Sequence, residues 1–174
     1  MKIFLVGYMG SGKTTAGRHL ARHMKLGFID MDSEIEREAG KNIEDIFANE
    51  GEDYFRRIEH EYLKKVILDD DIVISTGGGT PCFLDNMDIM NNSGGSVYFR
   101  MSVETLVSRL IKAKNKRPLI KDLNEIDLRY FIASNLEKRE PFYNKAHYIV
   151  NALDFKVSGL AEMLITHRDN NQIR

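Results

Sequence analysis

The chain is nearly devoid of cysteine: Cys82 stands alone among 174 residues. That excludes an intrachain disulfide and a cysteine metal cluster, and it fits a reducing cytoplasm. A packed small residue is the expected role for Cys82. Neither sign of charge is in excess, since 25 Lys and Arg meet 26 Asp and Glu for a formal net charge of -1. A dedicated nucleic-acid or membrane-surface binder needs a basic imbalance that is missing here. No apolar run approaches the roughly 20 residues of a membrane span. Only Ile3-Phe4-Leu5-Val6 follows Lys2 before Gly7, too little for the apolar region of a secretory signal. Repeats, low-complexity tracts and Pro-rich linkers are also missing. The expectation is one domain over residues 1–174, large enough for its own core and in need of no partner, hence a monomer.

What the chain does have is Gly7-Tyr8-Met9-Gly10-Ser11-Gly12-Lys13-Thr14, the pattern G-x-x-x-x-G-K-[ST] of a phosphate-binding loop. Its glycines let backbone N–H groups turn inward onto phosphate oxygens. Lys13 can reach the β- and γ-phosphates, and the Thr14 hydroxyl can ligate magnesium. The context fits: a short apolar run precedes the loop, and Ala16, Leu20, Ala21 and Met24 follow at helical spacing. A nucleoside triphosphate with Mg2+ is the implied ligand.

Short apolar runs recur at Phe28-Ile29, Ile72–Ile74, Val97–Phe99 and Tyr148–Val150. Between them, Phe55, Ile58, Tyr62 and Val66 mark one helix face. Val103, Leu106, Val107, Leu110 and Ile111 mark a second, and Leu128, Phe131, Ile132 and Leu136 a third. Alternating strands and helices predict an α/β fold, a parallel sheet covered on both faces. Ligands then bind at the carboxyl ends of the strands. The segment 112–124 carries Lys112, Lys114, Lys116, Arg117 and Lys121 around Pro118, and reads as a basic lid over a triphosphate.

Asp30-Met31-Asp32 follows the second strand. In extended chain, residues two apart point the same way, so both carboxylates can face the crevice. Ser33 with Glu36 forms a capping box of its own, which frees Asp32 for chemistry. Arg56 lies three residues before Glu59, so an ion pair can hold its guanidinium in one pose for bidentate capture of a carboxylate. Arg57 reads as a surface partner of Asp53 or Glu61. Gly77-Gly78-Gly79 after the third strand permits close backbone approach to a ligand. Lys138 and Arg139 sit late in a long helix before Pro141, where positive charge is favourable in itself. His19 and His23 have metal-like spacing without a third ligand and read as ordinary helix residues.

These stretches together resemble shikimate kinase over nearly the whole length. They are Gly7 to Thr15, Phe28 to Asp32, Ile43 to Phe47, Gly51 to Glu59, Gly77 to Gly79, Lys116-Arg117-Pro118-Leu119 and Arg139 to Tyr143. The resemblance implies a P-loop kinase of the nucleoside-monophosphate-kinase type with a five-stranded parallel sheet. It implies ATP-dependent phosphorylation of the 3-hydroxyl of shikimate, on the route to aromatic amino acids. By position, Gly10, Ser11, Gly12, Lys13, Thr14, Thr15 and Arg117 would bind ATP. Asp32 would hold the acceptor hydroxyls and take the proton. Arg56 and Arg139 would bind the acceptor carboxylate, and Gly78 would touch it through backbone. Thr14 and Asp30 would support magnesium, with Ser75 near its waters. Phe47 and Phe55 would wall an acceptor region over residues 32–62. Arg109 would lie against adenine. Two rival expectations are another small-acid kinase, such as a gluconate kinase, and a nucleotide-switched binding module without transfer activity.

Overall fold

The computed structural model describes residues 1–113 and 120–172, with side chains described up to residue 166. Strand β1 (Lys2–Val6) leads into helix α1 (Lys13–Met24), then β2 (Gly27–Asp30), α2 (Met31–Ala39), α3 (Ile43–Glu50) and α4 (Glu52–Val66). Strand β3 (Ile72–Ser75), a 3-10 turn (Thr80–Cys82), α5 (Asn86–Ser93) and β4 (Gly95–Arg100) follow. Helices α6 (Val103–Ala113) and α7 (Glu125–Tyr143), strand β5 (Tyr148–Asn151) and α8 (Val157–Gln172) complete the order. The five strands are all parallel, in the order β2-β3-β1-β4-β5.

The pleat of β1 explains the layers. Ile3 and Leu5 point to one face, where Ala16 and Leu20 of α1 and Leu160 and Leu164 of α8 cover them. Phe4 and Val6 point to the other, into a larger core with residues of α4, α6 and α7. A central strand buried on both faces has no polar side, hence its unbroken apolar run. Gly17 lets α1 lie close: a Cβ there would stand 2.7 Å from the Phe28 ring and 2.9 Å from Leu5. Strand β5 is an edge, with Ile149 exposed.

The register places the chemistry. Ser75 at the end of β3 pairs with Leu5 on one side and Asp30 on the other. The phosphate loop, Asp30 and the glycine segment therefore emerge side by side at one sheet edge. Among the described residues no helix is long and apolar enough to cross a membrane.

Three local expectations fail. Asp32 is not extended; it lies in the first turn of α2, with Asp30 as the N-cap. The Ser33–Glu36 capping box does not form, because Asp30 Oδ1 accepts from the Ser33 N–H at 3.3 Å while Glu36 Oε1 accepts from the Ile43 N–H at 2.9 Å. A carboxylate at the strand end reaches the free helical N–H groups first. Arg57 sits 5.8 Å from the Tyr54 ring instead of forming the expected pair.

Candidate active site

The phosphate loop turns on glycines with positive φ, at +81° for Gly10 and +93° for Gly12. Gly12 caps α1, so the positive end of that helix opens on the loop. Lys13 is buried along its stem, and its Nζ donates to the carbonyls of Gly7 at 2.7 Å and Tyr8 at 3.1 Å. A cleft of about 260 Å³ lies above, lined by Gly10, Lys13, Thr14, Asp30, Asp32 and Gly78 among others. Thr15 also lines it, while Ser11 is buried beneath the loop with its hydroxyl unpartnered.

The Thr14 hydroxyl donates to Asp30 Oδ2 at 2.7 Å and lies 3.4 Å from the Ser75 hydroxyl. This is a cluster of hard oxygens at the rim of an anion cradle. It fits magnesium, which prefers one or two protein oxygens plus phosphates and waters. Among the described residues no trio of His, Cys, Asp or Glu forms a metal cage, and His19 and His23 are exposed on α1.

Asp32 meets this cradle from the other side. Burial is the main force raising its carboxyl to about 6, followed by the negative charges of Glu59 and Asp30, with Lys13 opposing them. Its Oδ1 would lie 2.6 Å from a Cβ on Gly77, and Glu59 Oε1 would lie 2.9 Å from the same point. Only glycine lets two carboxylates close on the backbone there.

Beyond Asp32, helices α3 and α4 bring Phe47, Phe55 and Arg56 together. Arg56 is held twice, by Glu59 Oε2 at 2.8 Å and Glu52 Oε1 at 3.0 Å. Its guanidinium faces the rings of Phe83 at 4.0 Å, Phe55 at 5.2 Å and Phe47 at 5.8 Å. It lies 2.5–2.8 Å from where a Gly79 Cβ would stand. Arg139 approaches from α7, with Nη1 3.5 Å from a Cβ position on Gly78 and its guanidinium 5.5 Å from the Tyr8 ring. The Tyr143 hydroxyl donates to the Gly78 carbonyl at 2.5 Å and fixes that backbone from below.

The structure thus brings Lys13, Thr14, Asp30, Asp32 and Gly78 into one cleft and sets Arg56 and Arg139 against its glycine wall. Arg109 donates to the Gly10 carbonyl at 3.3 Å. Arg117 and most of the basic stretch within 112–124 lie outside the described residues. Sequence reasoning missed Phe83, Thr80, Tyr8 and Tyr143. The last two belong to stretches already singled out, but nothing local told that their rings would underlie Arg139 and Gly78. Cys82 packs against the core, and burial pushes its thiol up to about 11, as for an inert packed residue.

A family model for shikimate kinase matches residues 9–167. A shikimate kinase of Azobacteroides pseudotrichonymphae is 49% identical over 165 residues, 94% of this chain and 97% of the relative. The crystal structure of a shikimate kinase from Bacteroides thetaiotaomicron superposes with a TM-score of 0.89 at 40% identity, covering 97% of this chain and 98% of that one. A shikimate kinase from Acinetobacter baumannii in complex with shikimate superposes with a TM-score of 0.84 at 34% identity, covering 99% of this chain and 95% of that one.

Proposed function

The chain belongs to the shikimate kinase family, and we propose that its cleft transfers the γ-phosphoryl group of ATP to the 3-hydroxyl of shikimate. One observation carries the assignment of residues: Asp32 stands between Lys13 and a glycine wall that two guanidinium groups flank. A phosphate cradle, a base and a clamp for an acid are then contiguous.

The step needs alignment and charge stabilisation more than covalent chemistry. The acceptor oxygen bonds to the γ-phosphorus, the bond from that phosphorus to the bridging oxygen breaks, and ADP leaves. The hydroxyl proton passes to Asp32. A carboxylate with a value near 6 remains ionised at neutral pH and is a stronger base than an ordinary aspartate. Lys13, anchored on the loop carbonyls, places its ammonium where charge builds on the phosphoryl oxygens. The N–H groups of Gly10, Ser11, Gly12, Thr14 and Thr15 are assigned to the ATP phosphates. Magnesium neutralises phosphate charge when bound; Thr14 would hold it, with Asp30 acting partly through water. Arg56 and Arg139 orient the acceptor through its carboxylate, and Gly78 lines its seat. The phosphate-binding role of Arg117, on a lid over 112–124, rests on the sequence resemblance. A monomer remains the proposed state, on a chain long enough for its own core, and the single Cys82 accords with the cytoplasm.

Coupled measurement of ADP release with shikimate, quinate and gluconate tests this reading. Shikimate is expected to stimulate release far above the other two. Preference for gluconate would assign another small-acid kinase, and indifference to all three would assign a nucleotide-switched module.

A further inference from the structure

Behind the acceptor wall, polar contacts continue from Glu59 to residues that the transfer step does not use. Glu59 is 1% exposed, and both of its oxygens are engaged. Oε2 holds Arg56 at 2.8 Å, and Oε1 accepts the Thr80 hydroxyl at 2.5 Å. Thr80 is itself fully buried, and its carbonyl accepts from Asn86 Nδ2 at 2.9 Å. Asn86, the first residue of α5, is also fully buried. With Nδ2 committed to that carbonyl, Oδ1 is the acceptor that faces His60 Nδ1 at 2.6 Å. His60 must therefore carry a hydrogen on Nδ1. Asp85 Oδ1 lies 3.8 Å from the same nitrogen, at the solvent side.

The contacts close a circuit. It leaves α4 at His60, crosses to α5 through Asn86, passes through the 3-10 turn at Thr80, and returns to α4 at Glu59. Thr80 is gripped by both its hydroxyl and its carbonyl, and it directly follows Gly79. The guanidinium of Arg56 rests against Gly79 and is held by Glu59. The circuit thus sets both walls of one narrow gap. Burying an amide here is unfavourable unless each of its polar atoms finds a partner, and apolar packing would join α4 to α5 without that demand.

We propose that Asn86 and His60 are positioning residues for acceptor binding. They hold Thr80, and through Thr80 and Glu59 the Arg56 guanidinium, in the pose that captures the acceptor carboxylate. This rests on the assignment of Arg56 to that carboxylate.

The test combines shikimate calorimetry with steady-state kinetics on four variants. His60→Leu removes the donor and is expected to weaken shikimate binding about tenfold, with kcat and the ATP KM within about twofold of the parent. His60→Asn restores an N–H near the place of Nδ1 and is expected to recover most of the affinity. Asn86→Asp keeps an acceptor for His60 but loses the donor to Thr80, so the same shikimate-selective loss is expected. Unchanged shikimate affinity in both His60→Leu and Asn86→Asp, equal weakening of both substrates, or a His60→Asn variant as impaired as His60→Leu would overturn the proposal. Arg56→Lys separates the premise from the inference. Normal shikimate affinity in that variant removes the role of Arg56, whereas weakening there with none in His60→Leu and Asn86→Asp removes only the circuit.

Discussion

Asp32 shows how much of this site is one residue's environment. Its carboxyl is raised first by burial, then by Glu59 and Asp30. The sign of the pH dependence follows. In the proposed role, it is ionised above about 6 and able to accept the acceptor's proton; below that value it is protonated and cannot. The kcat/KM for shikimate is expected to fall with an acid limb near pH 6. Asp32→Asn should abolish that limb and lower kcat by roughly 100-fold or more, while calorimetry still detects ADP binding. A variant with near-normal turnover would remove Asp32 from its role. The residue was legible as a candidate because it follows a strand in an acidic pair. Its geometry was not, since the choice between extended chain and first helical turn is made by the Asp30 carboxylate reaching the Ser33 N–H.

At the scale of elements, the proposed acceptor clamp rests on a contact between α4 and the segment after β3. Gly79 has φ -90° and ψ -25°, a conformation open to any residue, so alanine there introduces no backbone strain. Its Cβ would instead stand 2.5–2.8 Å from the Arg56 guanidinium, which Glu59 and Glu52 hold in place. Gly79→Ala is expected to raise the shikimate KM by about tenfold or more with the ATP KM little changed, because the added methyl displaces only the clamp. Paired kinetics for the two substrates check this, and a normal shikimate KM would show that the gap is not narrow. The strands and the helices α1, α4, α6 and α7 were readable as apolar runs and helical faces. Helix α8 was not, since among its described side chains the buried Leu160, Ala161 and Leu164 make a narrow stripe. Asn86 was invisible for a related reason: a polar residue at a helix start reads as surface, and it is the packing of α5 against the 3-10 turn, β4 and α4 that buries it.

Taken whole, the molecule gathers its candidate site residues where β1, β2 and β3 end together, beside the most deeply buried strands. Nucleotide bound there belongs to the native state alone and must stabilise all of it. ADP with magnesium at about 100 times its Kd contributes ~2.7 kcal/mol. For a chain of this size that corresponds to a rise in Tm of about 5–10 °C, measurable by scanning calorimetry. Shikimate alone is expected to give its own shift, lost in Arg139→Ala, while the ADP shift persists in that variant. The placement of Tyr8 under Arg139 and of Tyr143 under Gly78 has a practical corollary. The chain contains no tryptophan, so its ultraviolet emission comes from tyrosine. Two of those fluorophores, both buried, lie beneath the guanidinium and the glycine carbonyl assigned to the acceptor, so occupancy of that site is expected to register as a change in the unlabelled protein's own emission.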